Sequence, residues 1–96
     1  MSPKNKIELN LLRKKLDKLD FILLKIIKKR TEIVKKVLSL KTYKKEIIDK
    51  KRISAVLKKI RKESLKKNID PKITHRIWKN MIWSYIDYEK RNFKKK

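Results

Sequence analysis

Along the first forty positions the apolar residues fall at Leu9, Leu12, Leu16, Leu19, Leu23, Ile26, Ile33, Val37 and Leu40, in alternating steps of three and four that only Arg30 interrupts. That spacing is a heptad-like stripe on one long helix. No glycine or proline lies between residues 4 and 70, so the helix is expected to run from about residue 5 to about residue 41. At 1.5 Å per residue this is a rod of roughly 50 Å. A compact monomer of this size cannot cover such a rod, and a second chain lying alongside is the natural way to bury it.

The string "TYKKEIID" breaks the period and ends in Asp49, an acceptable N-cap. Ile53, Val56, Leu57 and Ile60 then mark a shorter amphipathic helix over about residues 50–66. In "NIDPK" the chain restarts, with Asp70 as N-cap and Pro71 as first helical residue. From there Ile73, Ile77, Trp78, Met81, Ile82, Tyr85 and Glu89 trace one face of a third helix to about residue 91. The ends, "MSPKNK" and "FKKK", look frayed and solvated. No strand pattern, repeat or dividing linker interrupts this order. The expected fold is all-α, a three-helix chain (long, short, medium) forming one domain over residues 1–96.

Composition narrows the chemistry. There is no cysteine, so neither a disulfide framework nor a thiolate metal site exists. The single histidine, His75, has no clustered carboxylates with which to build a metal centre, and it reads as a surface residue on the polar side of the third helix. No apolar run approaches the length of a bilayer span, and the N-terminal stretch lacks the apolar core of a secretory signal. A cytoplasmic protein without metal or cofactor is expected.

The formal charge of +22, from 32 Lys plus Arg against 10 Asp plus Glu, admits a nucleic-acid or anionic-surface binder. It equally fits a biased genome, because the abundant Lys, Ile and Asn have A/T-rich codons while Ala occurs once and Gly never. In such a chain the few arginines, Arg13, Arg30, Arg52, Arg61, Arg76 and Arg91, are the cations expected to need a planar, bidentate guanidinium.

Two charged residues occupy apolar faces, Arg30 on the first helix and Glu89 on the third. A buried charge costs several kcal/mol unless it is paired or meets a polar ligand. An internal Arg30–Glu89 ion pair or snorkelling of Arg30 past the stripe would satisfy that demand. The surroundings favour a ligand: Arg13, Arg30, Lys41 and Arg52 bracket one acidic residue and together read as a pocket for a small polyanion. Trp78 lies on the apolar face and reads as core, whereas Trp83 is assigned to a subunit contact. No glycine-rich phosphate loop, Ser/His/Asp set or nucleic-acid motif of defined spacing is present.

The strings "LLRKKLDKLD", "KKRTEIV", Lys41, "DKKRISAVL" and "NIDPKITHRIWKNMI", in this order, resemble the all-helical chorismate mutases over about residues 9–93. The resemblance implies an intertwined homodimer whose two sites are each completed by the first-helix arginine of the other chain. Carried over by position, Arg30 and the partner's Arg13 would clamp the carboxylates of the dianionic substrate chorismate. Lys41 would bind a carboxylate and the enolpyruvyl ether oxygen, Arg52 would support the anionic end, and Asp49 would contact the ring hydroxyl. Glu89 stands where the family has Gln or Glu and would donate a hydrogen bond to the same ether oxygen. A carboxylate donates only when protonated, so either a raised Glu89 pKa or better turnover in mild acid is expected.

Two positions depart from the mutase pattern. Ile53 replaces a glutamate that contacts the ring hydroxyl, and Tyr85 replaces a small hydroxylic residue. Both changes, with the string "MIWSYIDYE", are also similar to isochorismate pyruvate-lyases, which make salicylate on the same fold. The expected activity is a Claisen rearrangement of chorismate to prephenate for aromatic amino-acid biosynthesis. The alternatives are the lyase, a basic nucleic-acid binder and a purely structural coiled-coil-like dimer.

Overall fold

The computed structural model describes residues 1–94. They form α1 (Pro3–Leu40), a 3₁₀ turn (Lys44–Ile47), α2 (Lys50–Lys66) and α3 (Pro71–Asn92), with no strand among the described residues. The expected all-α class and helix order are therefore observed, with every boundary within two residues of its expected position.

The N-terminus is not the frayed end that its lysines imply. Ser2 Oγ accepts a hydrogen bond from the Asn5 N–H at 3.1 Å, and Pro3 is the first helical residue. Ser followed by Pro is a start signal, since the hydroxyl satisfies an orphan donor and proline lacks the N–H that would otherwise need a partner. At the other end, Lys95 and Lys96 of the expected frayed tail lie outside the described residues.

Two compact units make up the chain, Met1–Ile33 and Val34–Lys96. The first consists of the greater part of α1 and holds no second element. Within it nothing can shield the stripe, and Leu12, Leu16, Leu19, Leu23 and Ile26 are each about half exposed. The second unit carries the last turns of α1, the 3₁₀ turn, α2 and α3, with α3 packed on both α2 and the 3₁₀ turn.

The turn between α2 and α3 follows from local chemistry. Asn68 takes the left-handed conformation, φ 57°, which asparagine tolerates better than most residues in a chain without glycine. The Ile69 N–H donates to Ser64 O at 2.9 Å and the Asn68 N–H to Leu65 O at 3.3 Å, closing the helix in a Schellman motif. Beside it, Lys67 donates to Glu63 at 3.0 Å and holds that carboxyl below the usual range. Two residues on, the Asp70 carboxylate accepts from the Lys72 N–H at 2.9 Å and Pro71 opens α3. The reversal is thus written almost entirely in "KNIDPK".

From Trp78 to Glu89 the covered face of α3 is the expected one, with Trp78, Met81, Ile82 and Tyr85 partly covered and Glu89 buried, but its first turns differ. Ile73 and Ile77 are half exposed, whereas Thr74 and Ile86 are buried. Thr74 takes the inward position because its hydroxyl meets that of Ser64 at 2.7 Å, and Ser64 also donates to Ile60 O at 2.6 Å. Each buried hydroxyl is satisfied by the other, which selects one rotation of α3 against α2. Trp78, expected in the core, is only partly covered, and Ile47 and Ile86 are the most buried apolar residues described.

Ser64→Ala leaves the Thr74 hydroxyl without this partner and is expected to lower stability by about 1–2 kcal/mol in urea denaturation. The double variant Ser64→Ala, Thr74→Val removes both polar groups and is expected to recover most of the loss.

Candidate active site

Lys41 follows the last residue of α1, and its N–H donates to Leu38 O at 3.1 Å, continuing the helical turn. The chain then bends through "TYKKEI". Glu46 secures the bend, its Oε2 accepting from the Thr42 N–H at 3.0 Å while its own N–H donates to Tyr43 O at 3.0 Å. The Lys45 ammonium lies 5.5 Å from the centre of the Tyr43 ring. Ile47, at 3% exposure, anchors the turn, which packs on α3. A short segment that the heptad pattern leaves blank therefore brings the start of the bend to α3.

The consequence is an ion pair across 48 residues. Lys41 Nζ donates to Glu89 Oε1 at 2.8 Å. The two side chains are 18% and 8% exposed, so the pair is largely withdrawn from water. Charge-assisted hydrogen bonds of this length are stronger than neutral ones, and burial strengthens them further. Of the two charges that the pattern sets on apolar faces, Arg30 and Glu89, the glutamate meets Lys41, a cation beyond the end of the stripe. Tyr85 lies one turn before Glu89 on the same face of α3 and is partly covered.

Asp49, Arg52 and Ile53 gather in the first turn of α2. The Asp49 carboxylate caps the helix, Oδ1 accepting from the Arg52 N–H at 3.0 Å, and the Ile53 N–H donates to Asp49 O at 3.0 Å. The cap holds Asp49 in place and leaves its second oxygen outside the capping bond. The Arg52 side chain is exposed and Ile53 is partly covered. In the first unit, Arg13 is exposed and Arg30 is partly covered.

The resemblance sets Lys41 and Glu89 at one ether oxygen but gives no ion pair between them, and the helical pattern offers no role for Glu46 and Ile47, which position the lysine. Glu46 had a local signal, a carboxylate four residues after a chain break. Ile47 had none, since its burial depends on α3. Among the described residues no three His, Cys, Asp or Glu side chains are grouped to hold a metal ion. No described helix is long and apolar enough to cross a membrane.

The family model described as chorismate mutase type II matches residues 12–90, most of the chain and all the site residues named above. No curated protein and no solved structure matches the chain.

Lys41→Met strands a buried carboxylate at Glu89 and is expected to cost about 3 kcal/mol of stability at neutral pH, measured by chemical denaturation. Adding Glu89→Leu to that variant is expected to restore most of the loss.

Proposed function

The chain belongs to the chorismate mutase type II family, enzymes that isomerise chorismate to prephenate, and on that premise we propose that Lys41 and Glu89 are its catalytic pair. They act within one mutase-like domain of residues 1–96 in the cytoplasm. The observation that carries this reading is the buried contact of 2.8 Å between a cation and a carboxylate whose surroundings are otherwise helical packing.

The reaction asks little covalent work of a protein. One C–O bond breaks as one C–C bond forms within a single molecule, so catalysis consists of holding the chair-like diaxial conformer and stabilising charge on the ether oxygen. Lys41 is the first donor to that oxygen. Its ammonium has three N–H bonds, so donation to Glu89 leaves others for substrate. Glu89 accepts from Lys41 and orients the ammonium, and its position beside the lysine makes it the second group at that oxygen, a donor there only when it carries a proton.

Arg30 and the partner's Arg13 clamp the two substrate carboxylates, and Arg52 supports the anionic end. Asp49 contacts the ring hydroxyl with the oxygen not used in capping α2. Ile53 and Tyr85 form part of the wall around the ring. The intertwined homodimer required by this arrangement is supported by the half-exposed apolar row on α1, a surface that monomeric soluble proteins rarely leave uncovered. Arg30 then sits on the apolar stripe because the stripe passes through the site, where substrate neutralises it.

Purified protein is expected to convert chorismate to prephenate, identified by chromatography. Salicylate and pyruvate from isochorismate, with no prephenate from chorismate, would transfer the assignment to the lyase, the reaction that Ile53 and Tyr85 also resemble.

Glu89→Gln is expected to retain turnover, because the amide N–H donates to the ether oxygen, whereas Glu89→Leu removes any donor there and is expected to lower kcat by about 100-fold. Equal kcat for the native chain, Glu89→Gln and Glu89→Leu would remove Glu89 as a donor.

Arg13→Ala and Arg30→Ala chains are each expected to be inactive alone. After unfolding and refolding as an equal mixture, they should regain about a quarter of the native sites, since one site of each mixed dimer receives both intact arginines. No regain would place Arg13 in the same chain's site.

A further inference from the structure

A groove of about 190 Å³ lies between α2 and α3, lined by Leu57, Lys58, Arg61, Pro71 and His75. None of these residues belongs to the proposed catalytic set. His75 is 14 residues before Glu89 on the same helix, about 21 Å along its axis. The walls are two pairs at helical spacing of four, Leu57 with Arg61 on α2 and Pro71 with His75 on α3. The Ser64–Thr74 hydrogen bond joins the same two helices near by and fixes the spacing of these walls.

The lining has a consistent chemistry. Leu57 and Pro71 are partly covered and supply an apolar floor, while Lys58, Arg61 and His75 are exposed at the rim. No carboxylate lines the groove. The nearest acids in sequence are already used, Glu63 by Lys66 and Lys67 and Asp70 by the N-terminus of α3. Among the described residues, no hydrogen bond or ion pair engages the Lys58, Arg61 or His75 side chains. The rim thus offers N–H donors and positive charge to an anion, while an ammonium group would meet two like charges with only a neutral imidazole nitrogen among the side chains to accept from it. A cavity of about 150 Å³ accommodates benzene. The groove is large enough for one ring with its acid group at the rim.

We propose that this groove is a second small-molecule site, separate from Lys41 and Glu89, that binds a ring-bearing carboxylate or phosphate. The ring rests on Leu57 and Pro71, and Arg61, Lys58 and His75 hold the acid group. The proposal stands on the groove alone and does not depend on the mutase reading.

The test is a titration of the full chain followed by backbone amide NMR, with phenylacetate, phenyl phosphate and phenethylamine as probes. Saturable shifts at Leu57, Arg61 and His75 are expected with one or both anions and not with the amine; the tighter anion identifies the acid group. Lys58→Gln and Arg61→Gln, both at exposed positions, should each weaken binding about fivefold, while Lys14→Gln removes the same charge from α1 and should leave it unchanged. Shifts centred on Lys41 and Glu89 alone, an equal response to phenethylamine, equal weakening by Lys14→Gln, or no saturable response would each overturn the proposal.

Discussion

A carboxylate that is 8% exposed must share its charge or lose it, and Glu89 shares it with Lys41. Much of the second unit is arranged around that requirement. For the ammonium to arrive, α1 must stop at Leu40 and the chain must turn back on α3, which the Glu46 bonds and the burial of Ile47 accomplish. Replacing such a pair by apolar residues is often neutral for stability, which fits the catalytic role proposed for it.

The core is correspondingly thin. Only Ile47 and Ile86 among the described apolar residues are buried, and the α2–α3 contact relies on a pair of hydroxyls as well as on half-covered aromatic and aliphatic groups. Hydroxyl pairs are directional where apolar contact is not, so Ser64 and Thr74 specify how α3 rotates against α2. That rotation turns Glu89 and Tyr85 to the covered side. The same rotation leaves Ile73 and Ile77 half exposed and puts Pro71 and His75 along the basic groove.

The surplus of positive charge acts on two scales. Spread over the surface, it raises the local concentration of any anion, a dianionic substrate included, and salt weakens the effect. Held at defined places, it becomes selective: Lys41 beside a buried carboxylate, and Lys58 with Arg61 beside an apolar floor. For Lys41 the difference lies in desolvation, since an ammonium screened by water discriminates little between partners; at the groove the cations stay exposed and the apolar floor supplies the second contact.

The amino-acid sequence by itself determined the helices and their ends. Steps of three and four residues, the absence of glycine and proline between residues 4 and 70, and the signals at Asp49 and in "NIDPK" are local, and local chemistry forms those elements. It also marked Arg30 and Glu89 as charges out of place, and the ordered strings carried the family. Tertiary structure alone decided which cation meets Glu89, that Thr74 turns inward where Ile73 and Ile77 do not, and that Lys58, Arg61 and His75 line one groove. Those outcomes depend on how non-helical segments return the chain and on which hydroxyls meet across helices. Periodicity within a helix holds no information about either, because it repeats the same face whatever lies opposite.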